Sequence, residues 1–345
     1  MGSKLLWASL ALTPVVLVAH YALGAGDTLV FVLSAGALVP LAWLVGRATE
    51  HVAEHTGPGI GGFVNASFGN APELIIALIA VGDGLPNVVR GSITGSVVSN
   101  LLLVFGLAIF VGGDGELDRR SMLLQLSLVL GAVALLLAPS LPGWHGDPER
   151  HVLYIVTLPV ASVLFVVYLG ITALNLRRHR DAPRRPAATG AWDLRVAILA
   201  LAVTTIATAF VSELLVHSLD AFGRALGLSQ FFVAAVIVAL VGNAAEHGGA
   251  ILVAKRGEMR LASEIAVSSA AQVAVFVTPV IALLSWLVGA GLPLSFRPVE
   301  IATMAGAAAL VVGVVLDGET RRWEGVTLAG AYALAAVGYG LVGDR

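Results

Sequence analysis

The sequence of 345 residues has no cysteine and few charged residues. Without cysteine, the chain can form neither disulfide bonds nor a cysteine-ligated metal site. Charged residues make up 12% of the sequence, whereas soluble domains carry about 25%. Hydrophobic residues make up 58%, and the period-two alternation of a transmembrane β-barrel is missing. The composition therefore predicts an all-α polytopic membrane protein.

Apolar runs that could cross a bilayer recur along the whole chain. A membrane-spanning helix needs about 20 predominantly apolar residues. The first run follows Lys4 and could pass for a signal peptide, but it has no clear cleavage site. The sequence predicts eleven transmembrane helices, at residues 4–24, 28–54, 59–82, 87–112, 119–140, 150–176, 192–220, 228–254, 260–289, 297–316 and 323–342.

Basic residues are distributed unequally between the two sides of this topology. With the N-terminus inside, fifteen Lys and Arg residues face the cytoplasm. The five on the outside are Arg90, Arg150, Arg224, Arg297 and Arg345. This asymmetry follows the positive-inside rule. It predicts a multi-pass protein of the cell inner (plasma) membrane with a cytoplasmic N-terminus and an external C-terminus, in contact with lipid and with no nucleic acid partner.

The two halves of the chain resemble each other. "FGNAPELIIALIAV" (68–81) aligns with "VGNAAEHGGAILVA" (241–254), and "ATEHVAEH" (48–55) aligns with "VSELLVHS" (211–218). The aligned pairs are Gly69 with Gly242, Asn70 with Asn243, Glu73 with Glu246, Glu50 with Glu213 and, after one gap, Ser96 with Ser268 and Asn100 with Gln272. The two copies are offset by five spans. Because five is an odd number, the copies must cross the membrane in opposite orientations, and such inverted repeats are typical of secondary transporters.

The repeat predicts the domain organisation. An N-terminal helix (1–27) precedes the first five-helix repeat (28–176), and a basic cytoplasmic linker (177–191) leads to the second, inverted repeat (192–345). The linker is rich in Arg and Pro. We interpret it as a loop that orients the protein, with a lipid-binding or regulatory patch as the alternative.

One motif suggests a different class of protein. His51-Val-Ala-Glu54-His55 fits H-x-x-E-H, which some zinc metallopeptidases place on a helix. The repeat does not duplicate this pattern, and no third ligand is evident. The motif therefore indicates either a polar helix end or an access funnel for protons or cations, with an intramembrane zinc peptidase as a remote alternative.

Glu73 and Glu246 are the strongest candidate site residues. Each lies three residues after an Asn, the arrangement of a capping box, and Gly69 or Gly242 lets the chain break beforehand. A carboxylate within a membrane is costly, so two symmetric ones favour a compensating cation. An oxygen-rich shell suits Ca²⁺, and Mn²⁺ stays open. Neutral oxygens are expected from Asn70, Asn243, Ser96, Asn100, Ser268 and Gln272.

The same carboxylates can bind protons when the cation leaves, so the pair favours exchange. We expect Glu50, Glu54, Glu213 and His247 to serve the access pathway or proton handling. For each of them a plain polar role is the alternative. The remaining acids are interpreted as solvated loop residues: Asp83, Asp114, Glu116, Asp118, Glu319 and Glu324.

The paired "GNAPELIIALIA" and "GNAAEHGGAI" resemble the G-N-x-x-E signatures of the cation/proton exchanger family, the Ca²⁺/H⁺ antiporter branch of the Ca²⁺/cation antiporter superfamily. "GSITGSVVSNLLLVFGLAIFVGG" (91–113) and "SEIAVSSAAQVAVFVTP" (263–279) resemble the helices that follow. The resemblance implies one N-terminal helix plus two inverted five-helix repeats. It also implies a central cation site at Glu73 and Glu246 with the motif asparagines beside it, and passages lined by Glu50 and Glu213.

In that family an Asn after the Gly favours proton over sodium coupling, and many members carry an acidic helix where this chain has its Arg-rich linker. The resemblance therefore implies a Ca²⁺/H⁺ antiporter that works by alternating access and exports cytosolic Ca²⁺, with no cofactor and no enzymatic activity. Sodium coupling, a broader cation range including Mn²⁺, and a channel are the alternatives.

Overall fold

A computed structural model describes residues 2–56, 61, 64–65, 67–178, 192–289 and 291–344. Within these residues, nine helices are long and apolar enough to cross a membrane, or ten if one bent pair counts as a span. The all-helical membrane fold is confirmed. Most of the predicted linker (179–191) and part of the third predicted span (57–60, 62–63 and 66) lie outside the described residues.

Sixteen helices are described, three of them continued by π-helical segments. They are α1 Gly2–Ser9, α2 Leu12–Tyr21, α3 Asp27–Thr56, α4 Ala71–Gly82, α5 Pro86–Val98, α6 Phe105–Gly112, α7 Arg119–Gly143, α8 His151–Arg178, α9 Leu194–Leu226, α10 Gln230–Phe232, α11 Ala239–Gly242, α12 Ala244–Lys255, α13 Met259–Gln272, α14 Thr278–Val288, α15 Pro298–Val315 and α16 Arg322–Val342. The π-helical segments are Ser99–Val104, Val233–Val238 and Val273–Val277.

Two predicted spans differ from continuous helices. Within the predicted span 59–82, α4 covers only the second part and follows a turn at Gly69 and Asn70, where the sequence predicts a break. Where residues 228–254 were expected, the chain bends by 60° between Gly242 and Ala244. Glycine removes the Cβ that favours helical continuation, so both breaks fall where the sequence places Gly-Asn.

The helices form two compact units. The first comprises the residues up to Ile79, Val166–Leu226 and Val241–Ala245. In it α3 packs along α9, and the rings of Phe31 and Phe222 stack at 4.2 Å. Both helices carry buried apolar side chains over most of their length. The first unit is thus built around one long helix pair.

The second unit comprises Ala80–Phe165, Gly227–Leu240 and Glu246–Arg345. Its helices approach closely at glycines, as membrane helices commonly do. A Cβ on Gly95 would lie 2.0 Å from the carbonyl oxygen of Ala235, and a Cβ on Gly106 would lie 2.9 Å from that of Gly325. All three π-helical segments belong to this unit, and π-helical turns are frequent at functional sites.

Several charged residues that the sequence suggested were solvated lie in structured surroundings. Glu324 is 6% exposed and accepts a hydrogen bond from the backbone of Arg321 at 2.7 Å. Asp118 caps α7 through the backbone N–H of Ser121 and pairs with Arg260. Interpreting Glu324 as a solvated loop residue was therefore wrong, whereas Asp118 is a partly exposed residue that caps a helix.

Candidate cation site

The first Gly-Asn motif precedes a helix. Gly69 and Asn70 form a turn, and α4 begins at Ala71. The Asn70 carbonyl accepts a hydrogen bond from the backbone N–H of Leu74 at 3.1 Å. Asn70 is buried and Glu73 is 9% exposed. The predicted helix start is confirmed, and it places Glu73 in the first turn, near the positive end of the helix dipole.

The second motif repeats this arrangement. Asn243 occupies the bend, α12 begins at Ala244, and Glu246 is in its first turn. Asn243 is buried and Glu246 is half-buried. Both motifs thus place a carboxylate in the same position of a new helix.

Within the first unit, Glu73 reaches the second motif. A Cβ built on Gly242 would lie 3.4 Å from Cδ and Oε1 of Glu73. The Glu73 carboxylate therefore lies against the backbone of the turn that leads, four residues later, to Glu246. Residues far apart in sequence are brought together here.

Within the second unit, Glu246 is held by a chain of hydrogen bonds. The hydroxyl of Ser269 donates to Oε2 of Glu246. Asn100 Nδ2 in turn donates to the hydroxyl oxygen of Ser269 at 3.0 Å. Asn100 and Ser269 are buried, and Asn100 lies in the first π-helical segment. The π-helical segment thus directs the Asn100 amide toward Ser269, the residue that bonds to the Glu246 carboxylate.

Ser269 is a residue that the sequence analysis missed. The predicted Ser268 is half-buried, and its hydroxyl donates to the carbonyl of Ile265 in its own helix at 3.2 Å. An ungapped repeat would have found Ser269, because it follows Glu246 by the same 23 residues (269 − 246) that separate Ser96 from Glu73 (96 − 73). The gap introduced into the alignment was therefore wrong at this position.

The remaining predicted ligands belong to the second unit. Ser96 is buried in α5, and Gln272 is half-buried at the end of α13. His247 follows Glu246 in α12 and is 9% exposed. Among the described residues, its Nε2 atom has no hydrogen-bond partner. Cation binding by Ser96 and Gln272, and proton handling by His247, stay predictions.

The predicted access residues divide between two helices of the first unit. Glu50 lies on α3 and pairs with Arg47 at 2.8 Å. Glu54 lies one turn further and contacts His51 at 3.2 Å. Glu213 is exposed on α9. Glu50, Glu54 and Glu213 are thus all accessible at the surface of the described chain.

The two histidines of the H-x-x-E-H motif have different partners. His51 contacts Arg47 and Glu54, whereas His55 bonds to the carbonyl of Trp192 at 2.7 Å. A zinc ligand set must converge on one point, and within the described part of the chain no group of three His, Cys, Asp or Glu side chains could hold a metal ion.

A family model described as "Sodium/calcium exchanger protein" matches residues 27–177 and 196–339. The match covers both motifs and the helices that follow them. The chain belongs to this exchanger family.

Individual relatives of this exchanger agree with the assignment. The "Ca(2+)/H(+) antiporter" of Synechocystis sp. is 35% identical, over 98% of this chain and 97% of the relative. The "Ca(2+)/H(+) antiporter ChaA" of Bacillus subtilis is 36% identical, over 88% of this chain and 90% of the relative. These relatives match the exchanger along nearly its whole length.

Solved structures show the same fold. The structure of native YfkE superposes with a TM-score of 0.83 at 31% identity and covers 98% of both chains. The H⁺/Ca²⁺ exchanger CAX superposes with a TM-score of 0.75 at 15% identity, which supports the fold alone.

The side chains of the two motifs indicate which cations would suit them. The candidate residues Glu73 and Glu246 have carboxylate oxygens, and Asn70, Asn243 and Ser269 have neutral polar groups. Oxygen ligands of this kind suit hard divalent cations, whereas zinc and copper favour imidazole or thiolate. The chemistry of the motifs thus fits a hard cation.

Proposed function

We propose that this chain exchanges Ca²⁺ for H⁺ by alternating access and exports cytosolic Ca²⁺ across the plasma membrane. The observation that carries the proposal is the contact between Glu73 and the turn of the second motif. Family membership and whole-length similarity to Ca²⁺/H⁺ antiporters add support. The protein is a transporter and not an enzyme; Ca²⁺ and H⁺ are its substrates, and it uses no cofactor.

Glu73 and Glu246 together bind the cation in this proposal. Their two negative charges balance one Ca²⁺, and Asn70, Asn243 and Ser269 supply neutral oxygens. When the cation leaves, protons neutralise the carboxylates, because isolated charges are costly within a membrane. Cation and protons therefore compete for the same oxygens. If the empty, charged site does not change sides, this competition produces exchange.

The remaining predicted ligands surround this pair. Ser96, Asn100 and Gln272 follow the motif helices, and Asn100 acts through Ser269 as well as through its own amide. Gly69 and Gly242 keep the helix starts open. Glu50 and Glu213 line the access routes, and Glu54 and His247 handle protons.

The eleven-helix architecture also belongs to the proposal. An N-terminal helix (1–27) is followed by inverted repeats (28–176 and 192–345), which are joined by the basic linker (177–191). Supporting this, α4 and α12 both contain 12 residues and begin 173 residues apart (244 − 71). The π-helical segments Ser99–Val104 and Val273–Val277 have nearly the same offset. The N-terminus is cytoplasmic and the C-terminus external.

Sodium coupling is the second candidate, because the matching family model is described by sodium and calcium. The motif residues Asn70 and Asn243 favour proton coupling over sodium coupling. The relatives that are named Ca²⁺/H⁺ antiporters support the same choice. Mn²⁺ remains a possible second substrate, because it accepts oxygen ligands.

The test is Ca²⁺ uptake by proteoliposomes that contain the purified protein, driven by an imposed pH gradient without sodium. We expect uptake that stops when the pH gradient is dissipated. Uptake that requires a sodium gradient would transfer the protein to sodium coupling. Flux that ignores both gradients would indicate a channel and contradict the proposal.

A further inference from the structure

Two adjacent arginines, Arg119 and Arg120, begin α7 in the second unit. Both are exposed, and the first turn of the helix contains no acidic residue. Asp118, the residue before them, caps the helix through Ser121 and pairs with Arg260. Across the residues that the structure describes, neither arginine makes an ion pair or a side-chain hydrogen bond. Two positive charges are therefore available to a ligand.

A groove runs along the helix from these arginines. It has a volume of about 480 Å³ and is lined by Arg119, Arg120, Leu123, Leu124 and Ser127. These residues share one face of α7, because positions four apart in a helix lie one above the other. Leu124 is 60% exposed, and the Ser127 hydroxyl donates to the carbonyl of Leu124 at 2.7 Å. The groove is thus charged where the helix begins and apolar beyond.

The length of α7 determines the level of this groove in the bilayer. The helix has 25 residues, which extend about 37 Å at about 1.5 Å per residue, whereas the hydrocarbon core is about 30 Å thick. Because arginine is costly within the hydrocarbon, the first turn lies among the lipid headgroups. Ser127 follows Arg119 by about 12 Å along the axis. The apolar part of the groove therefore lies beside the acyl chains.

The chemistry of the groove fits one class of lipid. A guanidinium donates well-directed hydrogen bonds to phosphate oxygens, and the positive end of the helix dipole adds to the attraction. Leu123 and Leu124 offer an apolar surface to an acyl chain. A zwitterionic lipid carries its own ammonium group and gains less from two unpaired positive charges. A free phosphate has no chain for the apolar part, so an anionic phospholipid fits best.

We infer that the groove on α7 binds the phosphate and the upper acyl chain of one anionic phospholipid, such as phosphatidylglycerol. Arg119 and Arg120 bind the phosphate, Leu123 and Leu124 contact the chain, and the small side chain of Ser127 leaves the space that the chain occupies. In the topology that we propose, α7 begins on the cytoplasmic side, where anionic lipids attract basic residues. The inference needs only that α7 crosses the membrane and is independent of the proposed transport.

The test is thermal unfolding of the purified full-length protein in a neutral detergent, with increasing mole fractions of phosphatidylglycerol. A ligand that binds the folded state raises the Tm. We expect phosphatidylglycerol to raise it, and phosphatidylcholine with the same acyl chains to leave it unchanged. The mole fraction that gives half of the shift should rise about fivefold in Arg119→Gln or Arg120→Gln and about 25-fold in the double variant. An unchanged response in the double variant would overturn the inference.

Two further variants separate the groove from the general effect of charge. Lys255→Gln/Arg256→Gln is the matched control, because it removes two adjacent, exposed basic residues at the end of α12, outside the groove. It should keep the wild-type response. Ser127→Trp keeps both arginines but fills the groove, and it should abolish the response. A full response in Ser127→Trp, or an equal loss in the matched control, would contradict a lipid site in this groove.

A second measurement does not depend on stability. Lipid that stays bound after detergent exchange and size-exclusion chromatography is identified by mass spectrometry and quantified by its phosphate. We expect about one phosphatidylglycerol per wild-type chain and none in the double arginine variant. Equal retention by the two proteins would overturn the inference. Glycerol phosphate, which has the anion without the chain, should not raise the Tm; if it did so as strongly as the lipid, the groove would be a free-phosphate site instead.

Discussion

Glu73 and Glu246 occupy the same position in two helix starts, and in the proposed site each provides a charge that a neutral residue cannot replace. Glutamine preserves the shape and removes the charge. We predict that Glu73→Gln or Glu246→Gln alone abolishes pH-driven Ca²⁺ uptake while the protein still folds, as size-exclusion chromatography would show. Glu54→Gln should be far milder. Glu319→Gln, at an exposed side chain, is the unchanged control. Near-normal uptake by either motif variant would exclude the two-carboxylate site.

Ser269 supports one of these carboxylates, because its hydroxyl joins Glu246 to Asn100. Removing a hydrogen bond to a charged group costs about 1.5–3 kcal/mol. We therefore predict that Ser269→Ala raises the KM for Ca²⁺ by about tenfold or more. Ser268→Ala should change it by less than about twofold, because the Ser268 hydroxyl bonds only to its own helix. Equal effects of the two variants would contradict the assignment.

Ser269 also shows what sequence reasoning can provide at this scale. The motif residues Asn70, Glu73, Asn243 and Glu246 could be predicted because each repeats within a recognisable pattern. The sequence pattern could not distinguish Ser269 from Ser268, because "VSSAAQ" contains two adjacent serines. Adjacent residues on a helix point about 100° apart. Ser269 therefore bonds to Glu246, whereas Ser268 bonds to the backbone of its own helix.

At the scale of elements, the position of each helix break follows from Gly-Asn, and the close helix crossings follow from glycine. Gly95 allows α5 to approach Ala235 so closely that a Cβ would lie 2.0 Å from its carbonyl oxygen. We predict that Gly95→Ala lowers the free energy of unfolding by about 1–3 kcal/mol or more, since the backbones must separate. Thermal unfolding in detergent measures this effect.

Gly131 provides the matched control for Gly95. It lies inside α7, and a Cβ there would meet no atom within 4 Å. Alanine is favoured over glycine within a helix by about 0.5–1 kcal/mol. Gly131→Ala should therefore leave the protein as stable as wild type or slightly more so. If Gly95→Ala and Gly131→Ala behaved alike, the crossing would not be as close as described.

For the helices, the sequence predicted the position of each span better than its shape. Hydropathy located the spans because lipid requires long apolar helices. It could not distinguish a helix from the two arms of a bent one, because both are equally apolar. The count of basic residues assigned Arg90 to the external side and gave it no partner, whereas the structure shows that Arg90 is 1% exposed and pairs with Glu149 at 2.6 Å. Partners of this kind depend on tertiary contacts between distant segments.

At the scale of the whole molecule, the eleven spans that we propose would place the chain ends on opposite sides of the membrane. The absence of native cysteine makes this directly testable with single introduced cysteines and a membrane-impermeant thiol reagent. We predict that a cysteine appended to the C-terminus is labelled in intact cells, whereas Lys4→Cys is labelled only after permeabilisation. His145→Cys and Arg256→Cys serve as external and cytoplasmic markers. Labelling of both ends from the same side would contradict eleven spans.

The central claim is that Ca²⁺ and protons compete for the same carboxylates. The most direct test is to count the protons released when Ca²⁺ binds to the purified protein, by calorimetry in buffers that differ in ionisation enthalpy. We predict that Ca²⁺ binding releases protons, and that Glu73→Gln and Glu246→Gln lose both binding and release. Binding of Ca²⁺ without proton release, at any pH at which the protein transports, would contradict the account.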